Sequence, residues 1–422
     1  MNVTITPKRQ LSGIITAPPS KAQTHRALFA GLLSEGVSRI YNPLFCDDTE
    51  ATARAISALG ATVAREATCW TVQGKGVPSA PREEIQCGES GVTLRFLIPI
   101  VSLTGRKVAL KAQGNLMKRP LQPLVSSMEE AGVKLIAHDD SVVLNGEVPE
   151  GGFVSVRGDV SSQFISGLLF AGPLMKKGLR LNLTTRLESK GYVLLTIDAM
   201  RKHGIFVKTI DDMSSFEIAP NQKYVPAEHT ITGDYSSAAF PLSAAAITNS
   251  HVIVRGLAKP DKEPDGIVLE LLSRMGATAK LVEDQVSIEG MSLKATRIDI
   301  RDSPDLGPVA AVLGCYAKGE TTICGAARLR FKESDRLTSI SDELAALGAK
   351  VTKTEDGFRI RGPASLRGGV VQSHGDHRIA MALTVAALGA DGRVEIQGAE
   401  CVSKSYPTFF DDMRTLGAEV NG

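Results

Sequence analysis

The sequence has little of what would place a protein outside the cytosol or on a polymer. Six cysteines (Cys46, Cys69, Cys87, Cys315, Cys324 and Cys401) are scattered without a C-x-x-C pair or a Cys/His cluster at ligand spacing. That argues against a disulfide framework and a structural zinc, and no metal is expected. No apolar run approaches the ~18 residues a membrane span needs, and Met1 to Pro7 alternates like a strand with no apolar h-region. The 48 Lys and Arg nearly balance the 46 Asp and Glu, for a formal net charge of +2. No basic block forms either, so neither nucleic acid nor a membrane surface is an expected partner. A Walker loop and a G-x-G-x-x-G after a strand are both missing, which makes nucleoside triphosphates and dinucleotides poor candidates. The expectation is a cytoplasmic chain, monomeric, acting on small molecules and using no cofactor. Its 422 residues, 43% hydrophobic and 22% charged, suit a soluble globular chain of two to four domains.

What the chain does have is a repeated signal. Leu59-Gly60-Ala61-Thr62-Val63 returns as Ala131-Gly132-Val133-Lys134-Leu135, His203-Gly204-Ile205-Phe206-Val207, Met275-Gly276-Ala277-Thr278-Ala279, Leu347-Gly348-Ala349-Lys350-Val351 and Leu416-Gly417-Ala418-Glu419-Val420. The glycines are spaced by four steps of 72 residues and one of 69. Each follows an amphipathic run, such as Thr49 to Leu59 or Leu337 to Leu347, and precedes a β-prone stretch. Glycine suits the residue just past a helix, because a Cβ disfavours the left-handed backbone there by roughly 1 kcal/mol or more. Helices often end in glycine, but six endings at a nearly fixed step imply a six-unit repeat.

Between these glycines each repeat reads strand, helix, strand, helix, strand, strand. In the first, Gly13 to Ala17 is a strand, His25 to Leu33 a helix, Ser38 to Tyr41 a strand and Asp48 to Leu59 the second helix, followed by two strands to Val72. The last repeat stops at Gly422 one strand short, and Asn2-Val3-Thr4-Ile5-Thr6 has the pattern to supply it. The expectation is an α/β protein of two similar domains, each of three βαβαββ units. Residues 1–18 with 232–422 form one domain, closed by the N-terminal strand, and 19–231 the other. The chain would cross between them near Pro18-Pro19 and near Thr230 to Gly233, a two-strand hinge beside a cleft.

If the units are equivalent, their functional positions should be too. The starts of the first helices read Ser20-Lys21, Glu89-Ser90-Gly91, Ser161-Ser162-Gln163, Asp234-Tyr235-Ser236-Ser237, Ser303-Pro304-Asp305 and Gly375-Asp376-His377-Arg378. Ser, Asp and Gly there are ordinary N-caps, worth about 1 kcal/mol each. The entrances to the second helices are less ordinary: Leu116-Met117-Lys118-Arg119-Pro120, Glu188-Ser189-Lys190-Gly191-Tyr192, Pro260-Asp261-Lys262-Glu263, Arg330 to Arg336, and Val402-Ser403-Lys404-Ser405-Tyr406. A helix N-terminus already favours anions, so cations there cost stability unless an anion binds. Lys21, Arg26, Arg119, Lys332, Arg336, Arg378 and Lys404 at or near such starts imply a cleft for ligands carrying several negative charges, such as two phosphates plus carboxylates. Among them stand two carboxylates suited to proton work, Asp305 and Glu333; the bland alternatives are an N-cap and a salt-bridge spacer. Cationic neighbours would keep Asp305 ionised as a base and could depress Lys21.

Over its whole length the chain resembles the 5-enolpyruvylshikimate-3-phosphate synthase family of enolpyruvyl transferases. The resemblance rests on Pro19-Ser20-Lys21 through Arg26, Gly88 to Arg95, Met117-Lys118-Arg119-Pro120, Ser161-Ser162-Gln163, Ser189 to Tyr192, Pro304-Asp305, Lys332-Glu333-Ser334-Asp335-Arg336, Asp376-His377-Arg378 and Ser403-Lys404, in that order. It implies a pseudo-threefold, inside-out α/β barrel in each domain. It also implies transfer of enolpyruvyl from phosphoenolpyruvate to the 5-hydroxyl of shikimate 3-phosphate, with release of phosphate, on the route to chorismate and the aromatic amino acids. The family pattern would put Lys21, Ala22, Arg26, Ser161, Ser162, Gln163, Ser189, Asp305, Arg328 and Lys332 at shikimate 3-phosphate. Lys21, Gly91, Arg119, Gln163, Arg336, Arg378 and Lys404 would hold phosphoenolpyruvate. Asp305, Glu333 and Lys21 would be the catalytic residues.

Several positions depart from the family pattern. Ala22 stands where serine is usual, Glu89 replaces asparagine and Val92 threonine, Phe96 follows Arg95, and Arg328 occupies a position where many members have asparagine. These changes bear on affinity and on sensitivity to glyphosate, the family's inhibitor. The nearest rival is the sister family that uses UDP-N-acetylglucosamine as acceptor, which shows Lys-Asn in place of Lys21-Ala22 and a reactive cysteine near the Arg119 region, where this chain has none. A non-catalytic anion-binding scaffold is the rival from another class; it predicts that Asp305 and Glu333 are dispensable.

Overall fold

The computed structural model describes residues 1–259 and 263–422. Pro260-Asp261-Lys262, part of the fourth second-helix entrance, lie outside the described residues.

The repeated glycines do the same work six times. Gly60, Gly132, Gly204, Gly276, Gly348 and Gly417 all hold positive φ, between +79° and +104°. After the first of these helices the Gly60 amide donates to the Ser57 carbonyl and the Ala61 amide to Ile56, and the other five endings repeat this pair of bonds. This double bond pattern satisfies the last carbonyls of a helix while the chain turns out into a strand.

The chain opens with β1 (Asn2–Thr6) and β2 (Ser12–Thr16). Repeat 1 supplies α1 (Lys21–Leu33), β3 (Glu35–Tyr41), α2 (Asp47–Ala58), β4 (Thr62–Arg65) and β5 (Cys69–Lys75). Repeat 2 supplies β6 (Ile85–Gln86), α3 (Gly91–Ser102), β7 (Val108–Lys111), α4 (Gln122–Glu130), β8 (Leu135–Ala137) and β9 (Ser141–Leu144). Repeat 3 supplies β10 (Gly152–Val156), α5 (Ser162–Ala171), β11 (Leu179–Leu183), α6 (Lys190–Lys202), β12 (Lys208–Ile210) and β13 (Ser215–Ile218), and β14 (Glu228–Thr230) follows. Repeat 4 consists of α7 (Tyr235–Ile247), β15 (His251–Arg255), α8 (Val268–Arg274), β16 (Thr278–Val282) and β17 (Gln285–Glu289). Repeat 5 has β18 (Arg297–Asp299), α9 (Gly307–Tyr316), β19 (Gly319–Cys324), α10 (Arg336–Ala346), β20 (Lys350–Thr354) and β21 (Gly357–Gly362). Repeat 6 ends the chain with β22 (Gly369–Gln372), α11 (His377–Leu388), β23 (Val394–Gln397), α12 (Phe409–Thr415) and β24 (Glu419–Asn421).

Each repeat contributes one four-stranded sheet, and none of the six closes into a barrel among the described residues. In each, the outermost strand runs parallel to the second and the remaining neighbours are antiparallel, as in β10-β11-β13-β12. The chain divides into two compact bodies, a discontinuous one of Met1–Pro19 with Thr232–Gly422 and a continuous one of Ser20–Ile231. Strand pairing moves two strands between repeats. β2, which the sequence pattern attaches to the first repeat, pairs in parallel with β15 of the fourth, Ser12 opposite His251 through Thr16 opposite Arg255. The first repeat takes β14 instead, with Glu228 opposite Arg39. In the sixth repeat β1 lies between β23 and β24, so the N-terminal strand supplies the missing member.

The first helix of each repeat is the buried one. In the continuous body α1, α3 and α5 bring Phe29, Phe96 and Phe170 together, all without solvent exposure, at centroid separations of 5.3, 6.4 and 5.6 Å. In the discontinuous body α7, α9 and α11 are buried nearly all round. A helix without a polar face must be central. Their N-terminal turns are therefore gathered around each body's centre, and that position matters for the site.

Candidate active site

In the discontinuous body the chemistry gathers where α9, α10 and α11 begin. Pro304 and Pro308 bracket the start of the α9 region, and Asp305 sits in a 3-10 turn, Pro304–Leu306, ahead of α9. Its Oδ1 accepts from Lys332 Nζ at 3.0 Å and from Arg336 Nη1 at 2.8 Å, and its Oδ2 lies 3.7 Å from Arg378 Nη2. Arg336 opens α10 behind the N-cap Asp335, whose carboxylate accepts from the Thr338 amide. Although 1% exposed, Arg336 is paired on three sides: Glu333 at 2.6 Å, Asp305, and Asp376, whose two oxygens take Nε at 2.7 Å and Nη2 at 3.1 Å. Asp376 also N-caps α11, accepting from the Arg378 amide at 2.9 Å. One buried carboxylate thus ties two helix starts together.

Burial alone would raise Asp305, but Lys332, Arg336 and Arg378 outweigh it and hold the carboxyl well below the usual range. The ammonium of Lys332 is pushed down by burial and only partly restored by Asp305. Arg336 moves the other way, since Asp376, Glu333 and Asp305 more than offset its burial. An ionised carboxylate within a cationic ring can take a proton from a bound hydroxyl, and the same ring can hold anionic groups nearby.

In the continuous body the gathering is at α1, α3 and α5. Ser20 N-caps α1, one turn earlier than the expected His25 start, and Lys21 is its first residue. Instead of cationic neighbours alone, Lys21 has an acid partner, Asp48 at the start of α2, at 2.9 Å. Gly91 opens α3 behind Ser90, and a Cβ there would stand 3.2 Å from Arg119 Nη1, 3.4 Å from Arg95 Nη1 and 3.5 Å from Gln163 Oε1. Arg95 donates to Gln163 Oε1 at 2.7 Å. Ser161 N-caps α5 and Ser162 and Gln163 are its first residues, while Ser189 N-caps α6 in the left-handed region at φ +59°. Arg26 is turned inward: its Nε donates to Thr196 Oγ1, Nη1 to the Ala22 carbonyl and Nη2 to the Tyr192 carbonyl, each at 2.8 Å. It bonds α1 to α6.

The expected run of cations on second-helix starts needs correcting. Arg119 closes a 3-10 turn, Leu116–Lys118, and Lys404 ends another, Ala399–Lys404, while Lys332 follows a third, Ala327–Phe331. Pro120 explains the first case, because the residue before a proline is held extended, as Arg119 is at ψ 147°, and α4 begins only at Gln122. Pro407 delays α12 in the same way until Phe409. Of the cations at those entrances, Lys190 and Arg336 occupy the first residue of a second helix among the described residues. Arg328 lies in the Ala327–Phe331 turn and donates to the Arg301 carbonyl at 2.5 Å. Sequence reasoning missed Asp48, and it gave Arg95 only a place at the end of the Gly88 to Arg95 motif. The acidic pair Asp47-Asp48 at the second-helix start of repeat 1, 27 residues after Lys21, was the available signal.

Comparison with known proteins covers the chain nearly from end to end. The family model for EPSP synthase (3-phosphoshikimate 1-carboxyvinyltransferase) matches residues 5–413. A Methanocorpusculum labreanum protein named 3-phosphoshikimate 1-carboxyvinyltransferase is 42% identical over 420 residues, covering 99% of both chains. A Clostridium perfringens protein of the same name is 41% identical over 425 residues, covering 100% of this chain and 99% of its own. Among solved structures, the EPSP synthase of Acinetobacter baumannii covers 100% of both chains with a TM-score of 0.81 at 26% identity. The enolpyruvyl transferase NikO of Streptomyces tendae shares the fold, with a TM-score of 0.82 at 20% identity over 100% of this chain and 98% of that one. A family match spanning nearly the whole chain, with full-length relatives at this level of identity, shows that the chain belongs to the EPSP synthase (3-phosphoshikimate 1-carboxyvinyltransferase) family.

Proposed function

We propose that the chain transfers the enolpyruvyl group of phosphoenolpyruvate to the 5-hydroxyl of shikimate 3-phosphate. The observation that carries the proposal is Asp305, an ionised carboxylate ringed by Lys332, Arg336 and Arg378 with Glu333 beside them. Asp305 takes the hydroxyl proton as the oxygen bonds to C2 of phosphoenolpyruvate, and C3 receives a proton from Glu333, assisted by Lys21. The resulting tetrahedral adduct then loses a C3 proton as the C2–O bond to phosphate breaks, which restores the double bond and releases inorganic phosphate.

On this reading Lys21, Ala22, Arg26, Ser161, Ser162, Gln163, Ser189, Asp305, Arg328 and Lys332 serve shikimate 3-phosphate. Lys21, the Gly91 backbone, Arg119, Gln163, Arg336, Arg378 and Lys404 serve phosphoenolpyruvate. Two polyanions repel, and a preorganised set of cations offsets that repulsion in the transition state without reorganising. A cytoplasmic location and a monomeric state are also part of the proposal. No helix among the described residues is long and apolar enough to cross a membrane. The test is phosphate release from phosphoenolpyruvate with shikimate 3-phosphate, run beside UDP-N-acetylglucosamine and a control without acceptor. Release only with shikimate 3-phosphate is expected; release only with the sugar nucleotide, or with neither, refutes the proposal.

A further inference from the structure

Beneath the Asp305 cluster lies a carboxyl that the proposed reaction does not use. Asp265 is 1% exposed, in the 3-10 turn Pro264–Ile267 that leads into α8. It accepts a hydrogen bond from the hydroxyl of Ser236, the second residue of α7. The main-chain carbonyl of Ser236 in turn accepts from Arg378 Nη1 at 2.6 Å, and Arg378 Nη2 faces Asp305. The turn itself is tied down from the Asp305 side, since Ser303 Oγ donates to the Pro264 carbonyl at 2.9 Å. Four residues on four elements thus form one line: Asp265, Ser236, Arg378, Asp305.

The charges that face Asp265 are Asp305 from the Pro304–Leu306 turn, Arg378 from α11 and Asp234, the N-cap of α7. Burial, then Asp305, then Asp234 push the carboxyl up to about 6 against the pull of Ser236 and Arg378. Ionised, Asp265 adds a negative charge, alongside Asp305 and Asp234, beside the guanidinium meant for a substrate anion. Repeat 1 offers an internal parallel, because Asp48 occupies the corresponding helix entrance and holds Lys21, the first residue of its own central helix.

We infer that Asp265 is a positioning residue: through the Ser236 hydroxyl it fixes the first turn of α7, so that the Ser236 carbonyl aims the Arg378 guanidinium at an anionic group of the substrate. The inference rests on the enolpyruvyl-transfer reading, and it predicts a defect in handling phosphoenolpyruvate alone. Asp265→Ala, Asp265→Asn and Ser236→Ala are compared by phosphate release with each substrate varied in turn. Asp265→Ala should raise KM for phosphoenolpyruvate about tenfold, the scale expected when a binding group is misaimed by a fraction of an ångström, and leave KM for shikimate 3-phosphate within about twofold. Ser236→Ala, which keeps the carbonyl but frees the turn, should follow it. Asp265→Asn retains an acceptor of the same shape; it should recover most of the affinity and lose the bend in the pH profile that titration of a carboxyl imposes.

Three results overturn the inference: an unchanged KM for phosphoenolpyruvate in folded Asp265→Ala, an equal rise in both KM values, or an Asp265→Asn variant no better than Asp265→Ala. A wild-type chain that releases no phosphate with shikimate 3-phosphate defeats the reaction itself and this inference with it. An active wild type with indifferent variants defeats the inference alone.

Discussion

Replacing Asp376 by alanine tests how the cluster is held together. Asp376 has no solvent exposure, bonds Arg336 through both oxygens at 2.7 and 3.1 Å, accepts from the Ser334 amide and hydroxyl, and N-caps α11 through the Arg378 amide. Breaking a buried ion pair by removing one partner costs about 3–5 kcal/mol, because the other charge is left uncompensated. Arg336 keeps Asp305 and Glu333, which argues for the low end. Loss of the N-cap adds about 1 kcal/mol. The expected loss is about 3–4 kcal/mol, which for a body of about 200 residues lowers its thermal midpoint by roughly 6–16 °C. Asp376→Asn keeps one acceptor and the cap and should fall about half as far. Differential scanning calorimetry at neutral pH without anions reads both shifts. A drop of less than about 2 °C for alanine would refute the reasoning, because it would mean that the two remaining carboxylates alone satisfy Arg336.

Other perturbations should be equally legible. Asp305→Asn should lower kcat by about 10²–10⁴, as expected when a general base is lost, with KM values little changed in the phosphate-release assay. At Gly91 an alanine methyl would press on Arg119, Arg95 and Gln163 at 3.2–3.5 Å, so Gly91→Ala should raise KM for phosphoenolpyruvate by about tenfold while leaving the fold intact. His203 and His229, whose Nε2 atoms are 2.9 Å apart, are held by burial at about 4 and about 3. Unfolded histidines take protons near 6.5, so their contribution is complete above that pH and is lost as pH falls toward 4; thermal midpoints should drop across that window, and His203→Leu should flatten the drop. The raised carboxyl of Asp265 has the opposite sign: stability declines as pH climbs from about 3.8 to about 6, and Asp265→Asn should be up to about 3 kcal/mol more stable than wild type at neutral pH in urea titrations.

The repeat was legible because each helix ending demands the same backbone, and only glycine meets that demand cheaply; all six endings have the same φ sign and the same pair of capping bonds. The closing role of Asn2–Thr6 was legible from an arithmetic shortage of one strand. The exchange of β2 and β14 was not, since alternation within a strand says which face is buried and nothing about which neighbour it meets. Among site residues, those in charged runs stood out, whereas Asp48 and Asp265 look like ordinary turn or helix residues and gain meaning only from the partner that folding brings to them. The inward turn of Arg26 was hidden for the same reason, because its acceptors are main-chain carbonyls and a threonine 170 residues away.

The placement of β1 has a consequence for how the chain is made. The continuous body has all its strands once Thr230 has left the ribosome, whereas Asn2–Thr6 meets its neighbours Val394–Gln397 and Glu419–Asn421 only when the last residues emerge. At ordinary translation speeds of about 5–20 residues per second, the first strand made waits roughly 20–80 s with both edges bare. Unpaired strand edges invite association, so Asn2–Thr6 is a vulnerable segment of the newborn chain, and the yield in a cell should depend on what shields those few residues until their partner strands are made.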